Sequence, residues 1–223
     1  MQAYVTQKQV NCAAAAVAIA GPVRNGRGTL TNLDWSIDGD TLARVTKAER
    51  CAVLNDLQAQ AYALGHIADD NLRSVLPGHF TKTEEARLVV GMGTGFNAAL
   101  ALRTESGRLV PPSECGHVTL PVRSADDLRM VDFIGRETGF TSVEDVLSGR
   151  GVAHIYAWLA HEADISDRPQ AAEIIARCER GSDPLATKTV QTFVQVMGRV
   201  VGDLALTHLP LSLIHISEPT RPY

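Results

Sequence analysis

Apolar and polar residues follow two different rhythms along this chain. Short apolar runs closed by turn-forming residues come first: "AAAAVAIAG" at residues 13–21, "CAVLN" at 51–55 and "RLVVGMG" at 87–93. Their length and their Gly or Asn punctuation predict strands. Helical periods separate them. "DGDTLARVTKAE" (38–49) opens on acids and closes on bases, as a helix dipole favours, and "LQAQAYALGHI" (57–67) follows Asp56 directly. Beyond residue 120 the pattern is mostly helical, with helices predicted at 124–139, 141–149, 151–163, 170–181 and 183–207. In the last, Val190, Phe193, Val194, Met197, Val201 and Leu204 recur at helical spacing and predict one apolar stripe facing a core. The chain therefore reads as α/β turning helix-rich, with a boundary within residues 68–86.

The final stretch, "LSLIHISEPTRPY" (211–223), breaks with this pattern: no helical period continues and two prolines close it. It looks like the translation of a sequencing adapter read through into the reading frame, so it is expected to be a non-native tail. Met1 reads as an internal start, because "MQAYVTQKQ" resembles the tail of a helix already under way.

Composition narrows the classes. The 223 residues are 45% hydrophobic and 21% charged, enough for a sizeable core. A net charge of -4 offers no electrostatic footprint for nucleic acid or an anionic membrane. The four cysteines are scattered, with no C-x-x-C pair and no zinc-finger spacing, as in a reduced cytoplasmic protein. The most apolar stretch, residues 12–21, is shorter than the roughly 20 residues a bilayer requires.

Candidate chemistry sits at the ends of the apolar runs. Asn55 and Asp56 lie where a buried strand meets a helix; they suit either a helix N-cap or a ligand. "GMGTGFNAALAL" (91–102) follows a strand, but what comes next resembles a second strand and a turn more than the long helix of a dinucleotide fold. The turn at Gly91, Gly93, Thr94 and Gly95 is either a phosphate cradle of backbone N–H groups or a tight hairpin whose glycines supply positive φ. Glu114 and His117 stand in a Pro/Gly-bounded loop, and Glu144 in the first turn of a predicted helix, where the dipole alone would explain an acid.

Taken in order, "AIAGPV", "LTNLDW", "LNDLQAQAYAL", "GMGTGFNAAL", "PSECGHV", "EDVLSGRG" and "VMGRVVGDLAL" resemble the bacterial glucokinase family of the actin-like ATPase superfamily, across nearly all of residues 10–209. The resemblance implies a two-lobe fold: residues 1–67 the remnant of a small α/β lobe, 68–210 most of a larger helix-rich lobe. It implies ATP-dependent phosphorylation of glucose at the 6-hydroxyl in the cytoplasm, with Mg²⁺ bound alongside the nucleotide and a homodimer compatible. Asp56 matches the family's catalytic base, at a strand end opening on the cleft between lobes. Asn55, Glu114, His117 and Glu144 match its sugar contacts, and Thr31 and Asn32 line the same cleft. Gly91, Gly93, Thr94 and Gly95 match its phosphate turn; no residue matches a metal ligand.

The chain also departs from the family. Its N-terminal "D-x-G-G-T-N" loop and its adenosine-binding glycine segment are not matched, so the 223-residue polypeptide is expected to bind sugar weakly and to turn over little or not at all. Cys115 and Asn97 stand where the family has glycines, and a Cys115 with positive φ would carry a cost on the order of 1 kcal/mol. Two other readings share these motifs: a sugar-sensing regulator without catalysis, and a kinase for another hexose. The phosphoryl donor is open between ATP, ADP and polyphosphate.

Overall fold

The computed structural model describes residues 3, 5, 7, 11–30, 35–75, 86–210 and 212–217. They fall into two compact units, one of Met1–Pro77 with Thr104–Pro112, the other of Gly78–Arg103 with Ser113–Tyr223.

In the first unit, β1 (Ala14–Ile19) is followed by the short antiparallel set β2 (Val23–Arg24), β3 (Arg27–Leu30) and β4 (Trp35–Asp38). Helix α1 (Gly39–Thr46) leads to β5 (Arg50–Asn55), which lies parallel to β1 and places Ile19 opposite Asn55. Helix α2 (Asp56–Ala63) starts at the very next residue. The apolar alternation of these strands buries Ile19, Ile37 and Val53, with Val17, Val23 and Leu30 packed against them. Asp38 ends β4 and caps α1 by accepting from the Thr41 amide at 2.7 Å.

The second unit is built on β6 (Ala86–Met92) and β7 (Phe96–Thr104), an antiparallel hairpin in which Gly91 faces Asn97 and Met92 faces Phe96. The strand β8 (Gly107–Leu109) follows in sequence within the first unit's second segment. Helices α3 (Ala125–Thr138), α4 (Gly149–Glu162), α5 (Ala171–Glu179) and α6 (Pro184–His208) then pack with the hairpin, burying Leu88, Val90, Met130, Ile134, Ile155 and Val196 among others. Of the described residues, no helix is long and apolar enough to cross a membrane.

Three sequence expectations change. Residues 141–149 were expected as a helix; they form a turn that ends at the α4 N-cap, Ser148. The reason is local: Asp145 Oδ2 accepts from the Ser142 amide at 2.9 Å and the Ser142 hydroxyl at 2.6 Å, a side-chain alternative to helical bonding. The apolar stripe of α6 is broader than the expected one: Phe193, Met197, Val201 and Leu204 pack against the core as the spacing predicts, joined by the buried Ala186, Thr189, Val196 and Val200, while Val194 is half exposed. Finally, the segment set aside as a tail contributes β9 (Ser212–Ser217), parallel to β6 with Leu88 opposite Leu213 and Val90 opposite His215.

Two carboxylates organise the helices. Asp183 caps α6 through the Leu185 and Ala186 amides at 2.8 and 3.2 Å, and accepts from the Tyr156 hydroxyl at 2.9 Å. Burial and that carboxylate push the Tyr156 phenol up to about 12. Asp127 joins α3 to α6: Arg199 Nη1 donates to its two oxygens at 2.9 and 2.7 Å, and the Arg123 amide donates at 3.0 Å. Burial alone would raise the Asp127 carboxyl, but Arg199, the Arg123 amide and Ser124 together hold it below the ordinary value.

A carboxyl lowered in the folded state stabilises fully above its unfolded value, here near 3.8, and loses that contribution as the pH falls beneath it. Asp127→Asn is therefore expected to lower stability in urea at neutral pH by about 1–3 kcal/mol. The gap between variant and wild type should close as the pH is taken below 3.8.

Candidate functional site

In the first unit the β5–α2 junction is held by side chains that bond backward. Asn55 Oδ1 accepts from the Leu57 amide at 3.0 Å, while the Asn55 amide donates to Gln58 Oε1 at 3.1 Å, a reciprocal capping box. Asn55 Nδ2 also donates to the Gly21 carbonyl at 3.2 Å, tying the end of β1 to the start of α2. Gly21 fits there because a β-carbon would lie 2.4 Å from the Thr29 carbonyl oxygen. Asp56 is half-buried at the first helical position, with Oδ1 accepting from the Leu57 amide at 2.8 Å. The helix-cap reading of Asn55 is thus realised, and its NH₂ still carries a second hydrogen. The far end of α2 is gripped by Arg108, whose Nη1 donates to the Ala61 and Tyr62 carbonyls at 3.3 and 3.0 Å and also to that of Leu64. Thr31 and Asn32 lie outside the described residues.

The second unit brings the remaining candidates together. Gly93, Thr94 and Gly95 join β6 to β7, and the Gly93 amide donates back to the Gly95 carbonyl at 2.9 Å, so that N–H is engaged within the turn. The tight hairpin is present, but none of Gly91, Gly93 and Gly95 is among the described residues with positive φ, so these glycines do not serve it by left-handed backbone. Gly95 is favoured by proximity instead: a β-carbon there would sit 2.5 Å from Glu144 Oε2.

Glu144 binds across the cluster. Its Oε2 accepts from the Phe96 amide at 3.0 Å, and its Oε1 lies 3.4 Å from Arg150 Nη2. Its own amide donates to the Gly116 carbonyl at 2.9 Å, drawing in the loop that carries Glu114 and His117. That loop turns through a 3-10 segment, Cys115–His117, with Glu114 and His117 both exposed. Gly116 is buried so closely that a β-carbon would meet the Phe96 carbonyl oxygen at 1.9 Å. The Gly149 amide donates to the Gly93 carbonyl at 2.9 Å, joining the α4 N-terminus to the same turn. The cluster thus holds two exposed side chains, Glu114 and His117, and a partly shielded carboxylate, Glu144, beside a glycine turn, donors and acceptors suited to a polyhydroxylated ligand and a phosphate.

Neither departure from the resembled family needs left-handed backbone: Cys115 and Asn97 are absent from the described positive-φ residues, so no strain attaches to them. Asn97 went unrecognised as a site-building residue. Its strand position in the β6–β7 ladder was legible, but its partners 16 and 18 residues away were not. Among the described residues no group of three or more His, Cys, Asp or Glu is arranged to hold a metal ion.

Comparison with known proteins gives a consistent picture. The family model described as Glucokinase matches residues 1–217. A glucokinase from Rhizobium johnstonii is 31% identical over 218 residues, covering 97% of this chain and 63% of that protein. One from Nitrobacter hamburgensis is 34% identical over 194 residues, covering 86% of this chain and 60% of the relative. The chain therefore spans about 60% of the length of these relatives. The crystal structure of glucokinase from an Antarctic psychrotroph superposes with a TM-score of 0.82 at 29% identity, covering 97% of this chain and 68% of that one. Glucokinase from Balamuthia mandrillaris, solved in complex with glucose, shares the fold with a TM-score of 0.77 at 21% identity, covering 96% and 66%.

The two buried glycines predict different outcomes. In Gly116→Ala the new methyl meets backbone that cannot swing aside, so the expected loss is about 3 kcal/mol in a urea titration. In Gly95→Ala the obstacle is the end of the Glu144 side chain, which can rotate away at the cost of its Phe96 hydrogen bond, about 1–2 kcal/mol.

Proposed function

Since the chain belongs to the glucokinase family, we propose that it serves phosphoryl transfer from ATP to the 6-hydroxyl of glucose. The observation that carries this reading is the hydrogen-bonded cluster of the Gly93–Gly95 turn, the Glu114–His117 loop and Glu144. Groups suited to phosphate and groups suited to sugar hydroxyls share one rigid network there.

In this reading Asp56 accepts the proton of the 6-hydroxyl as O6 attacks the γ-phosphorus. The O6–P bond forms, the bond from phosphorus to the β-phosphate oxygen breaks, and the electron pair leaves with ADP. Glu114, His117 and Glu144 hold ring hydroxyls, Asn55 donates through its second amide hydrogen, and Thr31 and Asn32 complete the sugar contacts. Each carboxylate oxygen has two lone pairs, so Glu144 can keep its Phe96 bond while accepting from a hydroxyl. A sugar lacking that hydroxyl would leave an acceptor unpaired, which is the source of selectivity.

Gly91, Gly93, Thr94 and Gly95 take the phosphate side. The Gly93 N–H is engaged within the turn, where it donates to the Gly95 carbonyl and fixes the shape of the loop. Mg²⁺ bound with the nucleotide would neutralise phosphate charge. A reaction drawing on ATP fits a cytoplasmic enzyme.

Two variants separate the roles. Glu144→Gln is expected to weaken glucose binding, measured by calorimetry, by about tenfold. Asp56→Asn should leave that affinity within about threefold of wild type, while ATP-dependent formation of glucose 6-phosphate in a coupled assay, expected to be low in the wild-type chain itself, falls by about 10²-fold or more. Unchanged turnover in Asp56→Asn would refute the base assignment, and a wild-type chain without affinity for glucose would refute the substrate.

A further inference from the structure

The Asn97 carboxamide lies against the two peptide groups that flank Glu114. Its Nδ2 donates to the Ser113 carbonyl oxygen at 2.6 Å, and its Oδ1 accepts from the Cys115 amide at 3.2 Å. One side chain therefore holds the residue before Glu114 and the residue after it. The carboxamide is itself well anchored. Asn97 is half-buried opposite Gly91 in the β6–β7 ladder, and its Oδ1 also accepts from the Ala98 amide at 2.8 Å and the Cys115 thiol at 3.4 Å. Gly116 then closes the other end, packed on the Phe96 carbonyl and accepting from the Glu144 amide at 2.9 Å.

The chemistry of this grip is specific to an amide. Holding a carbonyl and an N–H two residues apart requires a donor and an acceptor at fixed separation on one short side chain. Aspartate lacks the donor, serine lacks the span, and glycine or alanine offers neither. A loop whose backbone is fixed before the ligand arrives loses less conformational freedom on binding it, and freeing one residue's backbone is worth about tenfold in affinity.

We propose that Asn97 is a positioning residue for sugar recognition, fixing the Ser113–Cys115 backbone so that Glu114 is presented to a hexose hydroxyl. The inference rests on the glucose reading above and deepens it, assigning a task to a side chain that touches no substrate. It also explains how a cysteine is accommodated beside Glu114: the thiol is folded inward onto the Asn97 oxygen, and burial pushes its pKa up.

Cys115 supplies a readout that needs no sugar. Iodoacetamide alkylation of each cysteine can be followed by peptide mass mapping, with the half-buried Cys178 of the same unit reporting general loosening. In Asn97→Ala, Cys115 is expected to react about tenfold faster while Cys178 is unchanged, and the glucose Kd from calorimetry is expected to rise about tenfold. An unchanged Cys115 rate overturns the proposal, and so does a faster Cys115 with glucose affinity intact. If Cys178 accelerates in parallel, Asn97→Leu decides, since it keeps nearly the same side-chain volume and removes the hydrogen bonds to Ser113 and Cys115 without adding charge. Acceleration of Cys115 alone in that variant supports the positioning role, and acceleration of both again overturns it. A wild-type chain with no glucose affinity sinks the substrate reading and this inference together, and the wild-type titration alone identifies that case.

Discussion

Everything in the second unit's site depends on a β-carbon that is not there. At Gly116 the Phe96 carbonyl oxygen stands 1.9 Å from where that carbon would be, so the loop can lie directly on the head of β7. From that contact the rest follows by short steps. The Gly116 carbonyl comes within reach of the Glu144 amide, Glu144 reaches the Phe96 amide, and the Glu144 carboxylate in turn occupies the space a β-carbon at Gly95 would take. Two glycines far apart in sequence are thus fixed by one mutual approach, and neither is used for unusual dihedral freedom.

Period and punctuation made most of the fold legible. The runs at 13–21, 51–55 and 87–93 became β1, β5 and β6, and four of the five helices expected beyond residue 120 formed within a few residues of their expected limits. What failed was local competition and long-range pairing. Ser142 and Asp145 satisfy one another before a helix can start, a contest that hydrophobic spacing does not register. The stripe of α6 is wider than its spacing suggested because helices α3, α4 and α5 all contribute to the cores it joins, while Lys188, Gln191 and Gln195 keep its other side exposed. Among site residues, those with a motif around them could be named from the sequence, whereas Asn97 acts through backbone partners that no motif records.

The first unit shows how a polar pair can end a strand without destabilising it. Asn55 meets the helix-start requirement of α2, the backbone of Gly21 and, in the proposed reaction, the substrate; Asp56 shares the capping and is left with a carboxylate oxygen for chemistry. At the opposite end of that helix, Arg108 gathers the Ala61 and Tyr62 carbonyls of the last turn. Both termini of an eight-residue helix are thereby anchored from outside it, which holds its first residue steady.

The pairing of Ser212–Ser217 with β6 has a consequence of a different kind. Parallel ladders are made by main-chain groups alone, so this flank of the hairpin asks an extended shape of its neighbour before it asks for any particular side chain. Leu213 and His215 are both exposed. The outer strand is best understood as a socket defined by β6: whichever stretch of polypeptide arrives there in register becomes part of the sheet.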